Sequence, residues 1–272
     1  MIRLEGVTRT FGEKTAVRDL SLEIPAGVLY AFLGPNGAGK TTTIKMMAGL
    51  LRPTVGRVVV GGFDLAKEPL RAKEILAYVP DQPYLYDKLS GREFLRFMAD
   101  LYGMRGAGRE AEMNRWIDTL GMGGWIDELS ETYSHGMKQR VVMAATFLHR
   151  PRVVVVDEPM VGLDPPSIRR VKEIFREAVR DGVTLFMSTH VISIAEETAD
   201  RVGILFGGRL VAEGTVAGLR EQSSTSGPLE DVFFRIAEAQ GLDTWGRRAS
   251  DAPKNAAGAP GGGPDPGGGG LP

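Results

Sequence analysis

The residues richest in chemistry form a short run, Gly34-Pro-Asn-Gly-Ala-Gly-Lys-Thr41. Glycines at 34, 37 and 39 let the backbone come close to a ligand, so that successive N–H groups point inward. A helix beginning near Lys40 adds its positive end. The run fits G-x-x-x-x-G-K-[ST] at every fixed position. In that pattern backbone amides cradle a polyphosphate, the lysine (Lys40) reaches the β- and γ-phosphates, and the hydroxyl of Thr41 binds Mg²⁺. Pro35, Asn36, Ala38 and Thr42 complete the contact stretch. Far along the chain, Asp157-Glu158 follows four valines, Val153 to Val156. A carboxylate leaving a buried strand stands where α/β folds bind ligands, so Asp157 can hold Mg²⁺ directly or through water. Glu158 points another way and can address an attacking water. Together the two runs point to a nucleoside triphosphate and a carboxylate placed to act on it.

The elements around them alternate between strand and helix. Residues 2 to 24 read as two strands about a turn at Gly12-Glu-Lys14, and Val28 to Leu33 as a short buried strand ending at glycine. A helix follows from about Lys40 to Leu50, and further strands from Arg57 to Val60 and Ile75 to Val79. After Pro83 the pattern changes. Ser90-Gly-Arg-Glu93 is a capping box, and Phe94, Leu95, Phe97, Met98, Leu101 and Tyr102 recur at helical spacing. Helical character continues over Glu110 to Leu120 and Ser134 to Leu148. Strand Val153 to Val156, amphipathic helix Pro166 to Arg180, strand Thr184 to Ser188, helix Ile192 to Ala199 and a hairpin through Gly207-Gly208 follow. This alternation predicts a largely parallel sheet. From about Ala249 the chain is alanine, glycine and proline, which cannot bury enough surface to offset its ordering entropy, and a disordered tail is expected.

Composition narrows the classes. Of 272 residues, 43% are hydrophobic and 25% charged, the balance of an ordinary globular protein. Net charge is −1, so no global basic field points to nucleic acid. Cysteine is absent, which excludes disulfides and thiolate metal sites. No apolar run approaches the ~18 residues of a membrane span, and the first residues lack the apolar core of a secretion signal. The expectation is a cytoplasmic chain without direct membrane insertion.

A second ordered segment turns this into a family resemblance. Ser134-His-Gly-Met-Lys-Gln-Arg140 lies between the glycine loop and Asp157-Glu158 and resembles the signature of ABC-type ATPases. The likeness runs from about residue 2 to 220 and is strongest to the ATP-binding subunits of ABC-2 type exporters. It implies a P-loop ABC cassette: a mostly parallel core sheet, an antiparallel β subdomain, and a helical subdomain at about 83–150 within an ATPase domain of residues 1–222. A C-terminal helical extension (223–248) and the tail (249–272) complete the expected organisation. By the same resemblance Phe11 stacks on adenine with Val17 nearby, and Gln82 touches Mg²⁺ and water. Ser134 and Gly136 bind the γ-phosphate of ATP held by the partner subunit. Asp164, in Gly162-Leu-Asp164, belongs to the loop crossing the dimer interface, and His190 orients the γ-phosphate and water. The chain departs from the family's Leu-Ser-Gly-Gly-Gln at Tyr133, His135 and Met137, which leaves no glutamine side chain at 137.

The resemblance therefore implies ATP and Mg²⁺ as cofactors, Glu158, His190 and Gln82 as catalytic residues, and Thr41, Gln82 and Asp157 around the metal. It also implies a dimer, of two copies or of paired ABC subunits, that closes on ATP and drives a separate membrane permease at the cytoplasmic face of the cell membrane. Tyr84, Leu85 and Tyr86 are candidates for the groove receiving the permease, and Leu229-Glu-Asp-Val-Phe233 resembles the end of many exporter cassettes. A soluble ABC ATPase of DNA repair or translation is the alternative. The single cassette and the lack of cysteine for zinc modules weigh against it. A GTPase would carry Asn-Lys-x-Asp, which is absent.

Overall fold

The computed structural model describes residues 1–223, 227–239 and 241. The chain opens with β1 (Ile2–Phe11) and β2 (Lys14–Ile24), then β3 (Leu29–Leu33), which leads through the glycine loop into α1 (Lys40–Met47). Next come β4 (Val55–Val60), β5 (Phe63–Asp64), α2 (Pro69–Glu74) and β6 (Leu76–Val79). Three helices follow, α3 (Gly91–Leu101), α4 (Gly106–Thr119) and α5 (His135–Leu148). The chain then returns through β7 (Val153–Asp157), α6 (Pro165–Arg180), β8 (Thr184–Thr189) and α7 (Ile192–Thr198). It continues with β9 (Arg201–Phe206), β10 (Arg209–Gly214), α8 (Val216–Gln222) and α9 (Leu229–Ala239). Helix α9 falls within the expected C-terminal extension. The expected tail lies outside the described residues.

Two sheets result. One is antiparallel, in the order β2-β1-β4-β5. The other has the order β10-β9-β3-β8-β7-β6 and is parallel throughout except for the β9–β10 hairpin at its edge. Every residue of β3, β7 and β8 is buried, because helices cover both faces of a parallel sheet; this is why Val153 to Val156 is a continuous apolar run and not an alternating one. The antiparallel sheet shares a core with the other face through Ile2, Leu20, Tyr30, Phe32, Val155 and Phe186.

The capping box starts α3 as its spacing requires: Glu93 N–H donates to Ser90 Oγ at 3.2 Å, and Ser90 N–H to Glu93 Oε2 at 2.8 Å. The apolar run behind it divides. Phe94, Leu95 and Ala99 enter the core, whereas Phe97, Leu101 and Tyr102 stay exposed, so the helix shows an apolar strip to solvent. Short elements escape the sequence pattern. Helix α2 buries only Ala72, and β5 is two residues held partly by the Arg71 guanidinium over the Phe63 ring.

Helix α5 ends at His149, whose ring stacks on Tyr102 with centroids 3.6 Å apart and 6° between planes. Burial lowers its pKa from 6.5 to about 4, partly offset by the Leu76 backbone. The folded chain thus keeps His149 neutral at pH values where the unfolded chain protonates it. Stability present above pH 6.5 is expected to fall as pH drops through 6.5 toward about 4. Urea unfolding midpoints at pH 7.5 and pH 5 should differ less in His149→Phe than in the wild type; an unchanged difference would remove His149 as a cause.

Candidate active site

Neighbouring strands deliver the chemistry to one edge. Strands β3, β8 and β7 lie side by side and parallel, with Leu33 paired to Thr189 and Asp157 to Ser188. Their C-terminal ends bring together the glycine loop, the turn at His190 and the Asp157-Glu158 pair, at the edge where open α/β sheets bind ligands. A cavity of about 540 Å³ opens there, lined by residues that include Phe11, Asn36, Gly37, Lys40, Thr41 and Glu158.

The loop is shaped by close backbone approach. Gly39 has φ of 110°, and a Cβ on it would meet the Ala16 carbonyl oxygen at 2.5 Å. A Cβ on Gly34 would lie 2.4 Å from the Leu205 carbonyl oxygen. Lys40, at the first turn of α1, is 6% exposed. Its ammonium donates to the carbonyls of Gly34 (2.7 Å) and Pro35 (3.3 Å) and lies 3.6 Å from Glu158 Oε1. Burial lowers its pKa, opposed by the carboxylates of Glu158 and Asp157.

Asp157 is almost wholly buried. The Ser188 hydroxyl donates to its Oδ1 at 2.5 Å, while Oδ2 is buried without a hydrogen-bond partner. Burial raises its pKa, and hydrogen bonding from Ser188 and Thr41 pulls it back. A buried, unpaired carboxylate oxygen beside a threonine hydroxyl suits a hard cation. Among the described residues no three His, Asp or Glu side chains could hold a metal by themselves. The donor set therefore fits Mg²⁺ that takes most of its ligands from phosphate and water. Glu158 has a left-handed backbone, φ 48°, and its carboxylate sits between two partners. Lys40 approaches Oε1, while His190 places Nδ1 3.0 Å from Oε2 and donates its backbone N–H to the same oxygen at 3.3 Å.

The segment from 133 to 140 lies elsewhere. Tyr133 is buried; its hydroxyl accepts the Gly91 N–H at 3.0 Å and faces the carbonyls of Ile126 and Glu128, pinning the turn before α5. Ser134 caps α5, accepting the Met137 N–H at 3.3 Å. A Cβ on Gly162 would meet the His135 ring at 3.1 Å, and one on Gly136 would meet Leu163 at 3.8 Å. Arg140 donates to Ser167 Oγ at 2.8 Å and lies 3.9 Å from Asp164, the N-cap of α6. None of Ser134, Gly136 and Asp164 lines the nucleotide-sized cavity.

Comparison with known proteins identifies the family. The family described as "ABC transporter" matches residues 17–161, more than half of the chain. The linearmycin resistance ATP-binding protein LnrL of Bacillus subtilis (strain 168) is 33% identical over 80% of this chain and 70% of its own. The daunorubicin/doxorubicin resistance ATP-binding protein DrrA of Streptomyces peucetius is 37% identical over 80% of this chain and 66% of its own. The chain belongs to the ABC transporter ATP-binding family. A solved ATP-binding subunit of an ABC transporter superposes with TM-score 0.83 at 30% identity, covering 87% of this chain and 99% of that one. A bacterial ABC transporter cassette solved as a dimer shares the fold, with TM-score 0.74 and 24% identity over 79% of this chain and 98% of that one.

Set against the sequence expectations, the cassette brings together Phe11, Lys40, Thr41, Thr42, Asn36, Gly37, Gly39 and Glu158, with Asp157 and His190 beside them. Other positions differ. Val17 is completely buried and packs beneath Gly39, and Ala16 and Lys14 form the cavity wall instead. Gln82 is exposed and does not line the cavity; the chain leaves β6 at Pro80, and it is Asp81 that faces in. Gly34, Pro35 and Ala38 shape the loop from behind without lining it. Phe11 is 45% exposed and carries the Arg9 guanidinium 4.4 Å from its ring centroid. The Ser188 contact was not legible in the sequence, because a serine near the end of an apolar strand carries no sign of its cross-strand partner; only the β7–β8 register places it. Gly39→Ala is expected to weaken binding of a fluorescent ATP analogue by at least about tenfold, since it adds backbone strain and a clash at once. Unchanged affinity would mean the loop can rearrange without cost.

Proposed function

We propose that this chain is the ATP-hydrolysing subunit that powers an ABC exporter, working as a dimer at the cytoplasmic face of a membrane and coupled to a separate permease. The observation that carries the reading is a separation within one chain. Lys40, Thr41, Asp157, Glu158 and His190 meet at one sheet edge, while Ser134 and Gly136 cap a helix packed on the Gly162-Leu-Asp164 loop and stay out of that cavity. A single copy therefore holds half of the contacts the family sequence pattern implies. A second copy facing it would bring Ser134 and Gly136 to the phosphate, with the positive end of α5 directed at it.

In this reading Lys40 leaves the Gly34 and Pro35 carbonyls for phosphate oxygens, relieving its burial with a stronger ion pair. Asp157 and Thr41 would hold Mg²⁺, with Gln82 joining when its loop moves inward. The metal neutralises phosphate charge when bound. Glu158 accepts a proton from, or orients, the attacking water, and His190 fixes the carboxylate through two contacts to Oε2. Phe11 offers a ring face to adenine. Positioning and charge neutralisation do most of the work in such reactions, which suits a site built of clamps rather than of a covalent nucleophile.

Export of a drug-like compound is supported by the relatives named for linearmycin and for daunorubicin/doxorubicin resistance. It also fits the segment Leu229–Phe233, whose Leu229, Val232 and Phe233 are buried against the cassette. For the permease contact, Tyr84 and Tyr86 are exposed beside Phe97, whereas Leu85 is core and drops out of the groove. No described helix is long and apolar enough to cross a membrane.

ATP turnover and sizing in Mg-ATP test the reading. Glu158→Gln is expected to keep ATP binding, lose about 10²–10⁴-fold in hydrolysis and accumulate as a dimer. Normal turnover by a monomeric mutant would overturn both the role of Glu158 and the dimeric engine. Chelation of divalent cations with EDTA should abolish wild-type turnover; activity without divalent metal would remove Mg²⁺ from the account.

A further inference from the structure

We infer that Ser188 is a positioning residue that fixes the acidic pair from the neighbouring strand, setting both the free oxygen of Asp157 and the backbone of Glu158. The inference rests on the ATPase reading above and assigns a residue that the loop and signature motifs do not include.

Three contacts converge on one fully buried serine. Strands β7 and β8 pair Asp157 with Ser188. The Ser188 hydroxyl lies 2.5 Å from Asp157 Oδ1 and 3.2 Å from the Glu158 backbone nitrogen, while the Ser188 carbonyl accepts that same N–H at 3.3 Å. A hydroxyl has one proton. Because Ser188 Oγ accepts from the Glu158 N–H, its proton is left for Asp157, and the direction of the hydrogen bond is fixed. Oδ1 is thereby occupied, and Oδ2 is the oxygen left buried and without a partner. The cation-facing atom of Asp157 is thus chosen by a serine on another strand, as outer hydrogen bonds orient ligands in metal sites.

The same serine holds a strained backbone. Glu158 sits at φ 48°, a conformation uncommon for a residue with a side chain. Its N–H is shared between Ser188 Oγ and Ser188 O, and this anchor turns the chain sharply out of β7 so that the carboxylate reaches Lys40 and His190. Two residues beyond Ser188, His190 grips Glu158 Oε2. Strand β8 and the turn that follows it therefore hold Glu158 at both ends, the backbone through Ser188 and the carboxylate through His190. An alanine at 188 would leave Asp157 Oδ1 without its donor, free the carboxylate to rotate, and reduce the anchor on the left-handed turn.

The test compares the wild type with Ser188→Ala and the near-isosteric Ser188→Cys. Three quantities are measured: kcat, affinity for Mn²⁺ by EPR titration in the presence of a non-hydrolysable ATP analogue, and metal-free nucleotide affinity. A lost hydrogen bond to a charged group predicts that Ser188→Ala loses about 10–100-fold in kcat. Mn²⁺ should bind that variant several-fold more weakly with metal-free nucleotide affinity unchanged, and Ser188→Cys should fall between. Wild-type kcat and Mn²⁺ affinity in either variant, with or without a lower melting temperature, would make Ser188 a packing residue only. If the wild type itself failed to hydrolyse ATP, the functional reading would fall, while the Mn²⁺ titration would still judge the serine.

Discussion

Everything at this site depends on keeping three ionisable groups together at the end of a sheet. Lys40 and Asp157 are buried and the Glu158 side chain is 12% exposed, and an isolated charge withdrawn from water is costly. They coexist because each finds a partner: the ammonium meets Glu158 and two loop carbonyls, and Asp157 accepts a hydrogen bond from the Ser188 hydroxyl. The arrangement is balanced without being saturated. The free Oδ2 of Asp157 calls for a cation, and a lysine partnered mainly by carbonyls is open to a stronger anion. A magnesium-bound polyphosphate would satisfy both at once.

That constraint explains the topology around it. The groups come from separate segments, the start of α1 after the glycine loop, the end of β7 and the turn after β8, and adjacent parallel strands in fixed register bring Glu158 within 3.6 Å of Lys40 and 3.0 Å of His190. The apolar runs that precede them are the buried centre of the sheet. Helices α5 and α6, which carry Ser134, Gly136 and Asp164 of the proposed dimer contact, are joined: a Cβ on Gly162 would touch the His135 ring, Arg140 reaches Ser167 and Asp164, and Gln139 Nε2 donates to the Pro159 carbonyl at 3.4 Å, next to Glu158. A displacement of the signature helix would therefore be felt at the acidic pair through contiguous packing. In the proposed dimer such packing would link the signature helix of one copy to its own acidic pair.

Much of this was legible in the sequence because the dominant elements obey simple periodicities. The glycine loop, the four-valine strand and the Ser90 capping box each state their structure in local residue types, and the order of loop, signature and Asp-Glu narrows the family. What could not be read locally was set by packing across the chain. Phe97, Leu101 and Tyr102 share helical spacing with buried neighbours, yet they stay exposed among the described residues, Phe97 meeting the Tyr86 ring edge-on and Tyr102 stacking on His149. Leu85 and the tyrosines on either side of it look alike in sequence, but only Leu85 meets the core. Val17 and Ala16 differ by one position on a strand, and strand alternation alone sends one inward and the other to the cavity wall. Ser188 has no local signal because its partners lie on the neighbouring strand.

The central claim is that one chain holds only half of a working site. Specific ATPase activity measured across a wide range of chain concentration, with the oligomeric state of the same samples followed by sedimentation, addresses it most directly. The account predicts that activity per chain rises with concentration in step with the dimer fraction and vanishes toward the monomer limit. Constant activity per chain in samples that sediment as monomers would contradict it.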